Sequence, residues 1–139
     1  MLARRRCPRY FLWRPVRIFK SKAFMRFAKK ANVGDAALCR SIRDAERGLI
    51  ATDLGGGVIK QRIARPGQGK SSGFRAQIVF SAGAQAVFVH GFAKNEKDNI
   101  RSDELFALRK LATELLAYDD EAMARAVASG TLTEVMCDA

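Results

Sequence analysis

Histidine and cysteine are scarce in this chain, and their scarcity excludes several kinds of site. His90 is the only histidine among 139 residues, which excludes a metal site with several histidine ligands and an acid–base pair of two histidines. The cysteines Cys7, Cys39 and Cys137 are far apart, and none belongs to a Cys-x-x-Cys pair. We therefore expect neither a zinc site nor a disulfide, and a reducing cytoplasm fits this pattern best.

Acidic side chains are missing from the first thirty residues, which contain eleven lysines and arginines. The formal net charge of the chain is +11, so nearly all of the excess comes from this segment. The last part of the chain is acidic instead. The global charge is therefore weak evidence for nucleic-acid binding, and the positions of individual cations matter more.

A long uninterrupted apolar segment is also missing. Ala76 to Ala93 has no formal charge and is nearly long enough to cross a bilayer, but Ser81 and Gly83 interrupt its middle. Its β-branched and aromatic residues are typical of strands, so we reject a transmembrane helix and expect no membrane partner. At this length, with about half of the residues apolar, one compact domain is expected.

Three consecutive strands are predicted between Leu54 and Asn99. In the first strand, Ile59 and Ile63 alternate with Lys60 and Arg62, so two cations share one face. The second strand alternates in the same way, with one side formed by Phe74, Ala76, Ile78 and Phe80 and the other by Arg75, Gln77 and Val79. After a turn at Gly83, Gln85 to Phe92 should return antiparallel.

The segment between the first two strands, Arg65 to Gly73, is too rich in glycine for regular structure. Its Gly69-Lys70-Ser71 matches the end of a P-loop, but Ala64 stands where that motif needs a glycine and a strand follows where it needs a helix. We discard nucleotide binding by that route. A cationic loop beside a cationic sheet face is still suited to contact phosphate.

The flanking patterns complete the fold. A strand is predicted at Val16 to Phe19, followed by a helical hairpin that ends at Gly48, and Ser102 begins a helix after the meander. Its apolar stripe consists of Leu105, Leu108, Leu111, Ala112, Leu115 and Leu116. We predict an α+β single domain in which an N-terminal strand and a helical hairpin pack on a small antiparallel sheet, followed by a C-terminal helix.

Three segments are expected along the chain: a basic, weakly ordered extension at 1–15, the domain at 16–118, and an acidic C-terminal helix or tail at 119–139. The extension fits a nucleic-acid-binding arm, a transit-like peptide or a start codon assigned too early. A short edge strand is expected near Thr131 to Val135.

The most specific segments of the chain are GGGVIKQRIARPGQGKSSGFR and FVHGFAKNEKDNI. Together with the order of the predicted strands and helices, they resemble the RelE/HigB-like toxins of bacterial type II toxin–antitoxin modules. The resemblance covers about Val16 to Ala117. It implies a RelE-like fold, cleavage of messenger RNA on the ribosome, and neutralisation by a small cognate antitoxin. It implies no cofactor and no metal.

The resemblance also implies roles for individual residues. Lys60 and Arg62 would bind the phosphate and transfer protons, and Arg75 would stabilise the charge of the transition state. Crowding of cations favours a lysine that can act as a base. Glu96 is an alternative general base. The expected RNA contacts are Lys70, Lys94, Asn95, Lys97 and Arg101, and Arg101 stands near the place where the family often has an aromatic residue that stacks on a base.

Each assignment has a structural alternative. Lys60, Arg62 and Arg75 fit the solvated face of an exposed strand, and Glu96 fits a surface ion pair. His90 falls in register with Phe88 and Phe92, so we expect it to be packed or half-buried rather than catalytic.

Two other functions stay open at this point. One is a toxin of the ParE kind, which inhibits a protein target such as gyrase without catalysis; it generally lacks the basic strand cluster. The other is a non-catalytic RNA-binding module, which the basic first thirty residues would suit.

Overall fold

The computed structural model describes residues 16–64, 73–93 and 101–137. In chain order, the elements of this described part are β1 (Arg17–Ser21), α1 (Lys22–Ala31), α2 (Asp35–Glu46), β2 (Thr52–Gly55), β3 (Val58–Ile63), β4 (Phe74–Ser81), β5 (Gln85–Ala93), α3 (Ser102–Leu116), α4 (Asp120–Ala128) and β6 (Leu132–Val135). The predicted α+β class and RelE-like arrangement are confirmed. The expected extension at 1–15 lies outside the described residues.

The strands form one six-stranded sheet in the order β2-β3-β4-β5-β1-β6. β3, β4 and β5 are the predicted antiparallel meander, and β2 adds to its edge a strand that we did not predict. β1 lies parallel to β5, which its long connection through the helices allows. The expected edge strand near the C-terminus is β6, which pairs antiparallel with β1.

Helices α1 and α2 cover one side of the sheet, which we call the hairpin face. The side chain of Ser21 caps α1 by accepting a hydrogen bond from the backbone N–H of Phe24 (3.1 Å). Phe24 and Ala28 of α1 are buried, as the helical spacing predicts. They join a cluster with buried residues of α2, namely Leu38, Cys39, Ile42 and Ala45. The sheet contributes the inward side chains Ile59, Ile63, Phe74, Ala76, Ile78 and Phe88.

Helices α3 and α4 cover the opposite side, the C-terminal face, over part of its length. Leu108, Ala112 and Leu115 are buried against the sheet. Their partners are Phe19, Val58, Val79, Val87, Val89, Met123 and Leu132. The apolar stripe of α3 is narrower than we expected, because Leu111 is 37% exposed.

The turn between β2 and β3 fastens α3 to the sheet. Gly55, Gly56 and Gly57 all have positive φ, which explains the three consecutive glycines. The guanidinium of Arg109 donates hydrogen bonds to the carbonyl of Leu54, and the Nε–O distance is 3.0 Å. A Cβ at Gly56 would meet the Arg109 side chain, so the turn is both a reversal of the chain and a close approach to α3.

Cys39 and Cys137 form a disulfide, which corrects our expectation that no cysteine is paired. Their Cα atoms are 5.9 Å apart although the residues are separated by 98 positions. β6 brings the end of the chain against α2, and no local spacing reveals such a pairing. Within the described residues, no helix is both long enough and apolar enough to cross a membrane.

Candidate functional site

The part of the C-terminal face beyond the apolar cluster of α3 and α4 holds the predicted cations of β3 and β4. Arg62 of β3 and Arg75 of β4 are directly paired across the ladder, and Lys60 is paired with Gln77. Paired residues of antiparallel strands point to the same side of the sheet. Lys60, Arg62 and Arg75 therefore lie together on one face, and we call them the cationic patch.

β5 extends the same face with two residues, His90 and Phe92. The pairing shifts between Gln77 and Ile78, so that Gln77 is opposite His90 while Ile78 is opposite Phe88. Val89 is the extra residue of a β-bulge at this point. The bulge moves His90 and Phe92 onto the C-terminal face, away from Phe88.

The expectation that His90 is packed in register with Phe88 is therefore wrong, and His90 is exposed. Two rows result across three strands, Lys60–Gln77–His90 and Arg62–Arg75–Phe92. Gly91, inside β5 and two positions after Val89, is the residue type that can mark a bulge, but the period-2 pattern alone did not locate it.

Arg75 is the buried member of the cationic patch, with 8% of its surface exposed. In the part of the chain that the structure describes, its Nη1 is the buried side-chain nitrogen or oxygen that lacks a hydrogen-bond partner. A buried N–H without an acceptor costs free energy, and the like charge of Arg62 directly opposite adds repulsion. A phosphate would supply both an acceptor and a countercharge.

Gln61 orients the strand that carries two of the cations. It is buried on the hairpin face between Lys60 and Arg62, and only 3% of its surface is exposed. Its Nε2 donates to the carbonyls of Ser41 (3.0 Å) and Leu49 (3.1 Å), and its Oε1 accepts from the N–H of Ala51 (2.8 Å). These bonds tie β3 to α2 and to the segment before β2. The backbone beneath the cationic patch is therefore held from behind.

An open pocket of about 460 Å³ adjoins the patch at the edge of β3. The pairing with β2 reaches only to Lys60, so this edge is open beyond that residue. The pocket is lined by Asp44, Gly48, Leu49, Ile50, Ala51, Gln61 and Arg62. Arg62 thus belongs both to the cationic patch and to the lining of this pocket.

Arg101 stands at the start of α3, where it is the N-cap residue. Its backbone N–H donates to Oε1 of Glu104 (3.1 Å), and its Nε lies 3.4 Å from a carboxylate oxygen of Asp103. The acidic first turn of α3 therefore offsets much of its charge. The other predicted residues, Lys70, Lys94, Asn95, Glu96 and Lys97, lie outside the described residues.

Acidic and sulfur side chains are not grouped for metal binding in the described part of the chain. Within residues 16–64, 73–93 and 101–137, no three His, Cys, Asp or Glu residues come close enough together to hold a metal ion. The polar side chains described in the two rows of this face are those of the cationic patch, Gln77 and His90.

The comparisons with known proteins agree with this architecture. Residues 16–135 match the family described as the RelE toxin of the RelE/RelB toxin–antitoxin system. No curated protein matches the chain. The family match spans the meander, the hairpin helices and the C-terminal elements, and membership implies an antitoxin as partner. The chain belongs to the RelE toxin family and is the toxin of a toxin–antitoxin system.

Proposed function

We propose that this toxin is an endoribonuclease that cleaves messenger RNA on the ribosome, with the cationic patch gripping the phosphate at the cleaved bond. The observation that carries the proposal is the buried, unpartnered Nη1 of Arg75 directly across from Arg62. If Arg62 and Arg75 were only solvated surface residues, nothing would be gained by burying one guanidinium beside the other. A site for an anion gains from both features.

The reaction that fits this patch is attack of a ribose 2′-hydroxyl on its own 3′-phosphate. A bond forms between the 2′-oxygen and phosphorus, and the bond to the 5′-oxygen of the next nucleotide breaks. The step needs a base for the 2′-hydroxyl proton, an acid for the leaving oxygen and stabilisation of charge on the phosphate. We assign phosphate binding and proton transfer to Lys60 and Arg62, and transition-state stabilisation to Arg75.

His90 is a further candidate for proton transfer, because the bulge brings it into the row of Lys60 and Gln77. Imidazole is the side chain that most often transfers protons near neutral pH. Phe92, half-buried in the row of Arg75, offers an apolar ring on the same face. Neither residue belonged to the set predicted from the sequence.

The remaining predicted residues keep their proposed roles. Glu96 is the alternative general base, and the proposed RNA contacts are Lys70, Lys94, Asn95, Lys97 and Arg101. Lys94 and its neighbours directly follow β5 in the chain, and Lys70 precedes β4. These positions are consistent with contacts to an RNA strand that crosses the cationic patch.

We place the antitoxin contact on exposed apolar side chains and on the basic outer side of α2. Phe106 of α3 is 69% exposed and Leu49 is 57% exposed. Arg40 and Arg47 are exposed at α2 and its end, where an acidic segment would find partners. Action on translating ribosomes would place the protein in the bacterial cytoplasm.

Primer extension on cellular messages after induced expression tests the proposal. The wild-type toxin should produce cuts at defined codon positions, and these cuts should disappear in Lys60→Ala and Arg75→Ala. Arg125→Ala is the matched control, because Arg125 is an exposed cation on α4 whose partner is Glu121 (3.5 Å). Antibody detection should show equal amounts of all the variants.

Two results would contradict the nuclease. Growth arrest with intact messages would indicate a toxin that inhibits a protein target, as the ParE-like alternative requires. Salt-dependent RNA binding without any cleavage would indicate a non-catalytic RNA-binding module.

A further inference from the structure

The Cys39–Cys137 bond joins two parts of the molecule that differ in accessibility. Cys39 lies on the buried side of α2 with 3% of its surface exposed, whereas Cys137 is exposed two residues after β6. The bond is thus anchored in the core and can be reached from solvent on one side. This arrangement makes the sulfur of Cys137 the accessible point of attack.

The bond secures a strand that has few other attachments. β6 is four residues long and lies at the edge of the sheet, paired only with β1. Its two buried side chains point to opposite faces, since Leu132 packs in the cluster of the C-terminal face and Val135 in that of the hairpin face. One further link is the ion pair of Arg17 with Glu134 (3.0 Å), which is partly exposed. Short edge strands of this kind open at low cost in free energy.

We propose that Cys39 and Cys137 form a thiol–disulfide modification site, at which reduction by a thiol loosens β6 from β1. The proposal does not depend on the nuclease assignment, because it concerns the opposite edge of the sheet from β3. Thiol-rich compartments would favour the reduced, loosened state and oxidising conditions the fastened state.

The chemistry is a two-step exchange with a dithiol. One thiolate of the reductant attacks Sγ of Cys137, forms a mixed disulfide, and displaces Cys39 as a thiolate that takes up a proton. The second thiol of the reductant then attacks the reductant's other sulfur, which is bonded to Cys137 in the mixed disulfide. This step releases Cys137 as a thiol. The protein gains two electrons and two protons, and the dithiol becomes a disulfide.

The effect should stay local. Helix α2 is attached to β3 through Gln61 and the carbonyl of Ser41 (3.0 Å), and this bond does not involve the sulfur atoms. Reduction should therefore free the edge of β1 without moving the cationic patch. The unpaired edge of β1 would then carry open backbone hydrogen-bonding groups.

Hydrogen exchange of the full chain tests the proposal. The Cys7→Ser variant is first treated with oxidised glutathione, which leaves two cysteines, and half of it is then reduced with dithiothreitol. Reduction should accelerate exchange of the β6 amides by about tenfold or more, while exchange in β3 stays within about twofold. Alkylation and mass spectrometry should find both thiols blocked before reduction and both free afterwards.

Cys7→Ser/Cys137→Ser serves as the control. Its β6 amides should exchange fast in both samples, because no bond can form. Free thiols at both positions after oxidation would overturn the proposal, and so would equal exchange of β6 before and after reduction in the Cys7→Ser protein. Equal acceleration in β3 and β6 would overturn it too, because it would indicate loss of the whole fold.

Discussion

The two ends of the C-terminal face have opposite surroundings although the same three strands form both. At one end, Val58, Val79 and Val87 are paired across β3, β4 and β5 and lie beneath α3. One step further along the same strands, on the same side, stand Lys60, Gln77 and His90. The face thus changes from apolar to polar side chains within two residues in β3 and β4, and within three in β5, where the bulge adds a residue.

The difference shows that strand alternation and helix placement determine two different properties of a residue, the side of the sheet it faces and whether that side is covered. Alternation decides which side of the sheet a residue faces. The position of α3, fixed by Arg109 at the glycine turn, decides where that side is covered. The cations of β3 and β4 on the C-terminal face stand beyond the apolar cluster that α3 covers. Arg75 is nevertheless buried, and its Nη1 has no hydrogen-bond partner among the described residues.

Exchanging residues between the two ends gives the largest expected effect. Val58→Lys places an ammonium beneath α3 at a position with 0% exposure, and it should lower the free energy of unfolding by about 3–5 kcal/mol. Lys60→Val, two positions along the same strand and the same face, should change it by only about 0.5 kcal/mol. Denaturant titration of both purified variants measures this difference. Similar losses of unfolding free energy in the two variants would mean that α3 does not bury position 58 more than position 60.

Replacing Arg75 separates stability from activity. Arg75→Met should reduce message cleavage about 100- to 1000-fold, because the transition state loses a positioned cation. Its free energy of unfolding should stay the same or rise by up to about 1 kcal/mol, because repulsion from Arg62 and an unsatisfied N–H disappear together. Quantitative primer extension and denaturant titration measure the two effects. A strongly destabilised variant would show that Arg75 supports the fold instead.

A smaller effect is expected from a substitution in the glycine turn, which lies against α3. Gly57→Ala should lower the free energy of unfolding by about 1 kcal/mol more than Gly83→Ala, since both residues have positive φ but only the first is near another side chain. A Cβ at Gly57 would lie 2.6 Å from Cδ1 of Leu116, while Gly83 has nothing within 4 Å. Thermal melts of the pair isolate the contribution of packing against α3. Equal melting temperatures would show that Leu116 turns away freely.

Local patterns were sufficient to predict most of the fold and the centre of the candidate site. Alternation placed Lys60 with Arg62 on one side of β3, and Arg75 with Gln77 on one side of β4, because each strand follows the period of two without interruption. The pairing of the two strands then puts all four residues on the same face. The helical spacing of Phe24 and Ala28 likewise identified the buried side of α1. These features depend on neighbours within a few positions, which a sequence displays directly.

The features that sequence reasoning missed depend on the pairing of distant segments. The bulge at Val89 is created by the pairing with β4, and it reverses the side on which His90 lies. The disulfide needs β6 to reach α2, which no spacing of cysteines reveals. The burial of Arg75 likewise results from the assembled sheet and not from its own strand.

The smallest expected effect concerns Arg62, the exposed arginine of the cationic patch. Arg62→Ala should make binding of an uncleavable 2′-O-methyl RNA less salt-dependent, with a log–log slope lower by about 0.7 for each phosphate that the variant no longer neutralises. Arg40→Ala is the matched control, because Arg40 is exposed on α2, across the sheet from the cationic patch. Filter binding at several salt concentrations measures both slopes. If the slope falls equally in the two variants, RNA is attracted by the overall positive charge, and the cationic patch has no special part in binding it.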